Sequence, residues 1–130
     1  HLVKRIEGVG VLKRFATKRI PTIDPKYYTE VVAGMRGAVI GGTCRRANIE
    51  GIEVCGKTGT AQNPHGRDHS AFMGFAPMNN PKIAVAVYVE NGGFGAEYGV
   101  PIGSLMIEKY LKGEVKRTEM ENQMMNSRIK

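Results

Sequence analysis

The sequence predicts an α+β fold in which an antiparallel sheet is packed by helices. Two segments with apolar residues at helical spacing, residues 25–40 and 101–112, flank three strand-like segments. The second and third strands are joined by a short turn at residues 77–81, so they are expected to be antiparallel neighbours. This order of helix, three-stranded meander and helix is typical of α+β domains.

The N-terminal part of the chain combines a strand-like segment with a helix. Residues 1–20 alternate loosely between apolar and polar side chains around Gly8, which predicts a hairpin or two short strands. Asp24 is a suitable N-cap, Pro25 suits the first helical position, and Gly41 is expected to end the helix. The predicted apolar face of this helix comprises Tyr28, Val31, Val32, Met35 and Val39.

The three strands are predicted at residues 51–62, 70–77 and 82–90. The third strand is apolar on both faces, and a strand of this kind must be covered on both sides. We therefore expect helices to sandwich the sheet. The two apolar faces comprise Ile83, Val85, Val87 and Val89 on one side, and Ala84, Ala86 and Tyr88 on the other.

The second helix is expected to begin near Pro101 and to end at Gly113. Its predicted apolar face comprises Ile102, Leu105, Met106 and Tyr110. The residues after Gly113 are polar and have weak periodicity, which indicates a frayed tail that is helical at most in part.

Composition argues against several classes of function. The formal charge is +7, but the basic residues form dispersed pairs such as Lys13-Arg14 and Arg45-Arg46, without the aromatic residues of a nucleic-acid surface. We therefore favour solvated basic positions over a surface for nucleic acid or acidic lipid. The sequence contains no run of about 18 apolar residues of the kind that spans a membrane.

Neither the cysteines nor the histidines have a metal-binding spacing. Cys44 and Cys55 form no C-x-x-C pair, so two buried free thiols are expected, and a disulfide between them stays open. His65 and His69 lie four residues apart with Asp68 between them, but a neighbouring proline and glycine break any helix that would align them. We expect no metal and no cofactor.

Residues 51–58 satisfy the phosphate-binding-loop formula G-x-x-x-x-G-K-[ST]. A working loop of this kind needs a glycine-rich turn and a helix that begins directly after the lysine. Here the intervening residues are strand-like and include Glu53, which would repel a phosphate, and the following GTAQNP does not begin a helix. Nucleotide binding is therefore a remote alternative.

The segment Lys57-Thr58-Gly59-Thr60 fits a different chemistry if it lies on an edge strand. The glycines on either side of Thr58 would let a ligand backbone approach and pair with the strand. A lysine cation, two hydroxyls and an outward N–H group suit a peptide carboxylate and the oxyanion that develops in acyl transfer.

The wider sequence resembles a known family. Lys57-Thr58-Gly59 matches the third motif of penicillin-binding proteins and serine β-lactamases. The surrounding segments GMRGAV, GTCRRANIEGIEVCGKTGTAQN, DHSAFMGFAP, PKIAVAVYVENGGFG and PIGSLMIEKYLKG resemble the C-terminal part of the transpeptidase domain of class B penicillin-binding proteins, closest to the penicillin-binding protein 2 group. This implies a partial β-lactamase/transpeptidase-like domain over residues 1–115, followed by the tail at residues 116–130.

The resemblance implies a role for each residue of the motif. Lys57 would set the electrostatics of the site, and Gly59 would leave room for the acyl donor. Thr58 and Thr60 would bind the carboxylate of a terminal D-alanine or of a β-lactam, and the Thr60 N–H would complete the oxyanion hole. By the same resemblance, Asp68 and His69 would lie near the mouth of the site and orient the motif strand or the substrate.

The implied reaction is D,D-transpeptidation of peptidoglycan by serine acyl transfer, but the chain contains no convincing nucleophile motif. Ser127 and Lys130 match S-x-x-K only at the extreme tail, and no S-x-N is convincing. We therefore expect a catalytically silent fragment, with a non-catalytic interaction module as the alternative.

The resemblance also implies partners and a location for the parent protein. The partners would be peptidoglycan stem peptides, β-lactams and a cell-elongation machinery that includes a membrane glycosyltransferase. The location would be the periplasmic face of the cytoplasmic membrane, reached through an N-terminal anchor outside these residues. No nucleic-acid partner is expected.

Overall fold

The computed structural model describes residues 7–10 and 22–129. In chain order they form helix α1 (Lys26–Ile40), the 3-10 helix η1 (Arg45–Ala47), strands β1 (Cys55–Ala61), β2 (His69–Ala76) and β3 (Ile83–Val89), and helices α2 (Gly99–Lys112) and α3 (Thr118–Asn126). The α+β prediction is confirmed. The hairpin predicted for residues 1–20 lies almost entirely outside the described residues, apart from a turn at Gly8.

Helix α1 begins and ends close to the predicted positions. The Asp24 carboxylate accepts a hydrogen bond of 3.0 Å from the N–H of Lys26, and the N–H of Gly41 donates to the carbonyl of Gly37. The predicted apolar face was largely wrong, because only Val39 is buried and Val31 is 57% exposed. The residues of this helix that join the core, Val39 and Ala38, lie in its C-terminal turn.

The sheet is an antiparallel meander in the order β1-β2-β3, with β2 in the centre. Thr58 of β1 pairs with Phe72 of β2, which pairs in turn with Val87 of β3. Alternate residues of β2 point into the core, and the buried set is Ser70, Phe72, Gly74 and Ala76. This register fixes which residues of the motif strand face the helices.

The expected sandwich was wrong for the described residues, because the helices pack on one face of the sheet only. The core on that face brings Val39 of α1 and Ile107 of α2 together with Phe72. On the opposite face Met73 is 60% and Tyr88 58% exposed. The two-sided apolar pattern of β3 instead reflects small alanines on this face and the contact of Tyr88 with the ring of His69, 5.3 Å between centroids.

Helix α2 lies across the core face and ends where predicted. Gly103 faces Phe72, and a Cβ at residue 103 would lie 2.6 Å from the Phe72 ring, so glycine lets the helix approach the sheet closely. Gly113 ends the helix with a φ of 77°. The predicted apolar face was wrong at Met106 and Tyr110, which are more than half exposed, whereas Ile107 is fully buried.

Part of the segment after Gly113 forms α3 (Thr118–Asn126), which agrees with the prediction of a tail that is helical in part. The Arg117 guanidinium pairs with the carboxylate of Glu108 at 2.9 Å, and Glu108 is only 1% exposed. Arg117 also donates to the carbonyl of Arg46 at 2.9 Å, and Arg46 donates to the Gln123 side chain at 2.5 Å. These contacts hold the tail against η1 and α2, and the domain boundary at residue 115 stays a prediction.

Candidate active site

The Lys57-Thr58-Gly59-Thr60 segment lies on β1, which pairs with β2 and has no second strand partner among the described residues. Its side chains alternate between the two faces of the sheet. Lys57 and Gly59 lie on the uncovered face, whereas Thr58 and Thr60 lie on the face that carries the helices. The structure therefore brings the predicted residues to one edge, but with the cation and the hydroxyls on different faces.

The backbone of Thr58 points away from β2. Its carbonyl accepts a hydrogen bond of 2.8 Å from the exposed Nζ of Lys57, a side chain on the uncovered face. Because outward and inward residues alternate along an antiparallel edge strand, the N–H of Thr60 is also expected to point outwards. The edge therefore offers a backbone donor two residues beyond Thr58.

The turn that follows α1 contacts the same strand. The hydroxyls of Thr43 and Thr58 lie 2.8 Å apart, and Cys44 is fully buried beside them. Burial raises the pKa of the Cys44 thiol, and hydrogen bonds from Thr43 and from the Thr58 backbone partly offset this shift. Cys44 is thus a neutral packing group, and both it and Cys55 are free, as predicted.

The loop at residues 91–98, between β3 and α2, packs over the pairing of β1 with β2. A Cβ at Gly95 would lie 2.5 Å from the Ala71 carbonyl oxygen and 2.7 Å from that of Gly59, so only glycine fits. The Ser70 hydroxyl fixes the loop, since it donates to the Phe94 carbonyl at 2.8 Å and accepts the N–H of Gly99 at 3.0 Å.

Asp68 and His69 connect the loops at one end of the sheet. The Asp68 carboxylate accepts the N–H of Asn63 at 3.0 Å, while its carbonyl accepts the N–H of Gly93 at 2.7 Å. Nδ1 of His69 accepts the N–H of Asn91 at 3.0 Å. Both residues thus hold the segment that follows Thr60. Over residues 7–10 and 22–129, no cluster of three His, Cys, Asp or Glu could hold a metal ion.

A shallow depression of about 300 Å³ lies on the uncovered face of the sheet. It is mostly apolar, with the Lys57 cation at one side. Its lining includes Lys57, Gly59, Ala71, Met73 and Tyr88. An extended ligand paired with β1 would lie beside it.

Sequence reasoning found the motif strand but missed the residues that support it. Thr43 lies 15 positions before Thr58, and its hydroxyl has no local signature that would reveal the contact. The contact of Gly95 has one signal in the sequence, the glycine cluster NGGFG at residues 91–95.

The family model described as the penicillin binding protein transpeptidase domain matches residues 1–108. The chain belongs to this family. The family match and the position of Lys57-Thr58-Gly59 on an edge strand agree with the resemblance seen in the sequence.

Curated relatives of the penicillin-binding family include two D,D-transpeptidases. The chain is 41% identical over 81 residues to peptidoglycan D,D-transpeptidase PbpA of Mycobacterium tuberculosis, covering 54% of this chain and 16% of that protein. It is 32% identical to peptidoglycan D,D-transpeptidase MrdA of Haemophilus influenzae, covering 94% of this chain and 22% of that protein. The chain therefore spans about a fifth of the length of these relatives.

Solved structures of penicillin-binding proteins share the fold. An imipenem acyl-enzyme complex of penicillin-binding protein A from M. tuberculosis matches with a TM-score of 0.61 and 36% identity, covering 68% of this chain and 20% of that one. Pseudomonas aeruginosa PBP2 in complex with WCK 5153 matches with a TM-score of 0.58 and 40% identity, covering 76% and 23%. Within the described part of this chain, no helix is long and apolar enough to cross a membrane.

Proposed function

We propose that this chain forms one wall of the active site of a peptidoglycan D,D-transpeptidase. The observation that carries the proposal is the edge of β1, which has no second strand partner among the described residues and holds the Lys57 cation against the Thr58 carbonyl, with the Thr58 hydroxyl on the other face of the same strand. An acyl-donor peptide that ends in a carboxylate can pair with this edge in extended form. The names of the relatives, which include PbpA and MrdA D,D-transpeptidases, support the same reaction class.

Each residue of the motif has a role in this proposal. The N–H of Thr60 stabilises the oxyanion that forms when a serine attacks the carbonyl of the donor. The hydroxyls of Thr58 and Thr60 bind the terminal carboxylate, and Lys57 supplies the positive potential for both the nucleophile and the ligand.

The space above Gly59 supports its role. A Cβ at residue 59 would meet only the Cβ of Ala71, at 3.4 Å, which is an ordinary contact. Interior packing therefore does not require glycine at this position. The proposal assigns the open space to the acyl donor.

Asp68 and His69 serve as supports in the proposal. They hold Asn63 and Asn91, and so they fix the end of β1 that carries the Thr60 N–H. In this proposal the serine nucleophile and its general base lie on sequence outside these 130 residues. Ser127, which matches S-x-x-K in the sequence, follows the end of α3 and donates to the Met124 carbonyl at 2.8 Å. The 130-residue chain alone is therefore inactive.

The same proposal extends to ligands and location. β-Lactams acylate the parent protein, as the acyl-enzyme complex of the M. tuberculosis relative suggests. The parent protein acts on stem peptides at the periplasmic face of the cytoplasmic membrane, where it is anchored by sequence outside these residues and works with the elongation machinery and its glycosyltransferase.

Labelling with a fluorescent penicillin tests the proposal. The full-length protein should be labelled covalently, and the 130-residue chain should not. In the full-length protein, Lys57→Met should slow acylation by about 100-fold or more, the scale for removing one electrostatic stabiliser. Lys82→Met is the matched control, because Lys82 is exposed in the turn before β3. Labelling of the short chain, or unchanged acylation in Lys57→Met, would contradict the proposal.

A further inference from the structure

Thr43 is a polar residue outside the motif strand that contacts the proposed carboxylate site. Its hydroxyl lies 2.8 Å from the hydroxyl of Thr58, across 15 positions of sequence. It lies in the turn between α1 and η1, so it reaches the site from a different element than β1.

The turn that carries Thr43 is held firmly. The N–H groups of Gly42 and Cys44 both donate to the carbonyl of Ala38, at 3.1 and 3.0 Å. Gly42 packs on this carbonyl so closely that a Cβ there would lie 2.8 Å from the Ala38 Cα. Cys44 is fully buried on the other side. The backbone position from which the Thr43 side chain extends is therefore well defined.

The number of protons on the two hydroxyls determines which of them donates to the ligand. Each threonine hydroxyl has one proton to donate and can accept others. A bound carboxylate only accepts, so Thr58 must give its single proton to the ligand. The Thr43 hydroxyl also lies beside the Cys44 thiol, but once Thr58 gives its proton to the ligand, Thr43 must turn its own proton from that thiol to Thr58, because the contact of 2.8 Å otherwise lacks a donor. A hydroxyl that accepts a hydrogen bond is polarised and becomes a stronger donor.

We propose that Thr43 is a positioning residue that directs the Thr58 proton towards the carboxylate of the acyl donor. This inference rests on the proposed function, and it adds a residue that selects for ligands with a free carboxylate. The Thr43 hydroxyl acts through Thr58 and does not need to touch the ligand itself.

The test measures the second-order rate constant of acylation in the full-length protein, with benzylpenicillin as the probe. Thr43→Val, which removes the hydroxyl and keeps the shape, should lower the constant by roughly 3- to 10-fold, the value of one hydrogen bond. Thr43→Ser should retain nearly the unmodified rate. Thr29→Val, at an exposed position of α1, is the matched control and should leave the rate unchanged.

A double-mutant cycle separates positioning from a general structural effect. In a Thr58→Val background, Thr43→Val should not lower the acylation rate constant further. With the methyl ester of benzylpenicillin, which has no free carboxylate, Thr43→Val should leave the rate constant unchanged. Three results would overturn the role of Thr43 and leave the proposed function standing: an unchanged rate in Thr43→Val, an additive loss in the cycle, or a Thr43→Ser variant as slow as Thr43→Val. No acylation of the unmodified full-length protein would instead overturn the proposed function.

Discussion

Gly95→Ala is expected to destabilise the fold by driving the 91–98 loop away from the motif strand. The added methyl would lie 2.5 Å from the carbonyl oxygen of Ala71 and 2.7 Å from that of Gly59. Both atoms belong to the main chain of paired strands, so no side-chain rotation can relieve the contacts. Overpacking of this kind costs about 1–3 kcal/mol, and two contacts with fixed backbone place the variant near about 2–3 kcal/mol.

Urea unfolding of the 130-residue chain, followed by circular dichroism, measures this loss. Gly37→Ala is the matched control, because it adds the same methyl group within α1, where nothing lies within 4 Å. Alanine is the better helix former there, so the control should gain about 0.5–1 kcal/mol. Two variants that each add one methyl should therefore move the midpoint in opposite directions. A Gly95→Ala protein as stable as the unmodified chain would refute the packing argument.

Two further predictions concern buried groups. Arg117→Met should lower the free energy of unfolding in urea by about 3–5 kcal/mol, because it leaves the buried Glu108 carboxylate without its partner. The double variant with Glu108→Leu should recover most of this loss. A loss below about 1 kcal/mol would contradict the role of this pair. Burial raises the pKa of the Cys44 and Cys55 thiols above 9.0, so their stabilisation is complete below pH 9.0 and is lost as the pH rises through the higher folded-state pKa. A Cys44→Ala/Cys55→Ala variant should consequently lose less stability than the unmodified chain between pH 7.5 and 10, and equal losses would argue against buried thiols.

The order and ends of the elements could be predicted because their signals are local. Gly113 ends α2 through a positive φ that glycine adopts at little cost, and the short turn at 77–81 leaves no room for a crossover. The buried faces of the helices could not be predicted equally well. In α2, Met106 and Ile107 are neighbours of similar apolarity, and only the packing of Gly103 on Phe72 decides which of them is buried.

The buried charge of α2 shows a second limit of sequence reasoning. Glu108 reads as a solvated position, since carboxylates are seldom buried without a partner. Its partner Arg117 lies nine residues on, beyond the end of the helix, so helical spacing cannot connect them. The same contact explains why the polar tail is ordered into α3. The contact between Thr43 and Thr58 is equally hidden from sequence spacing, because the two residues lie on different elements.

The phosphate-loop formula of residues 51–58 fails for a reason that also explains what the segment can bind. A phosphate cradle needs successive N–H groups that converge on one point. From Cys55 onwards these residues form a strand, so successive N–H groups alternate in direction, and the Thr58 carbonyl is free of β2 and accepts the Lys57 Nζ. Beyond Thr58 the chain continues as a strand to Ala61, and no helix adds its dipole. Outward donors at every second residue suit a ligand with an extended backbone and a single oxyanion, which is the geometry of a peptide acyl donor.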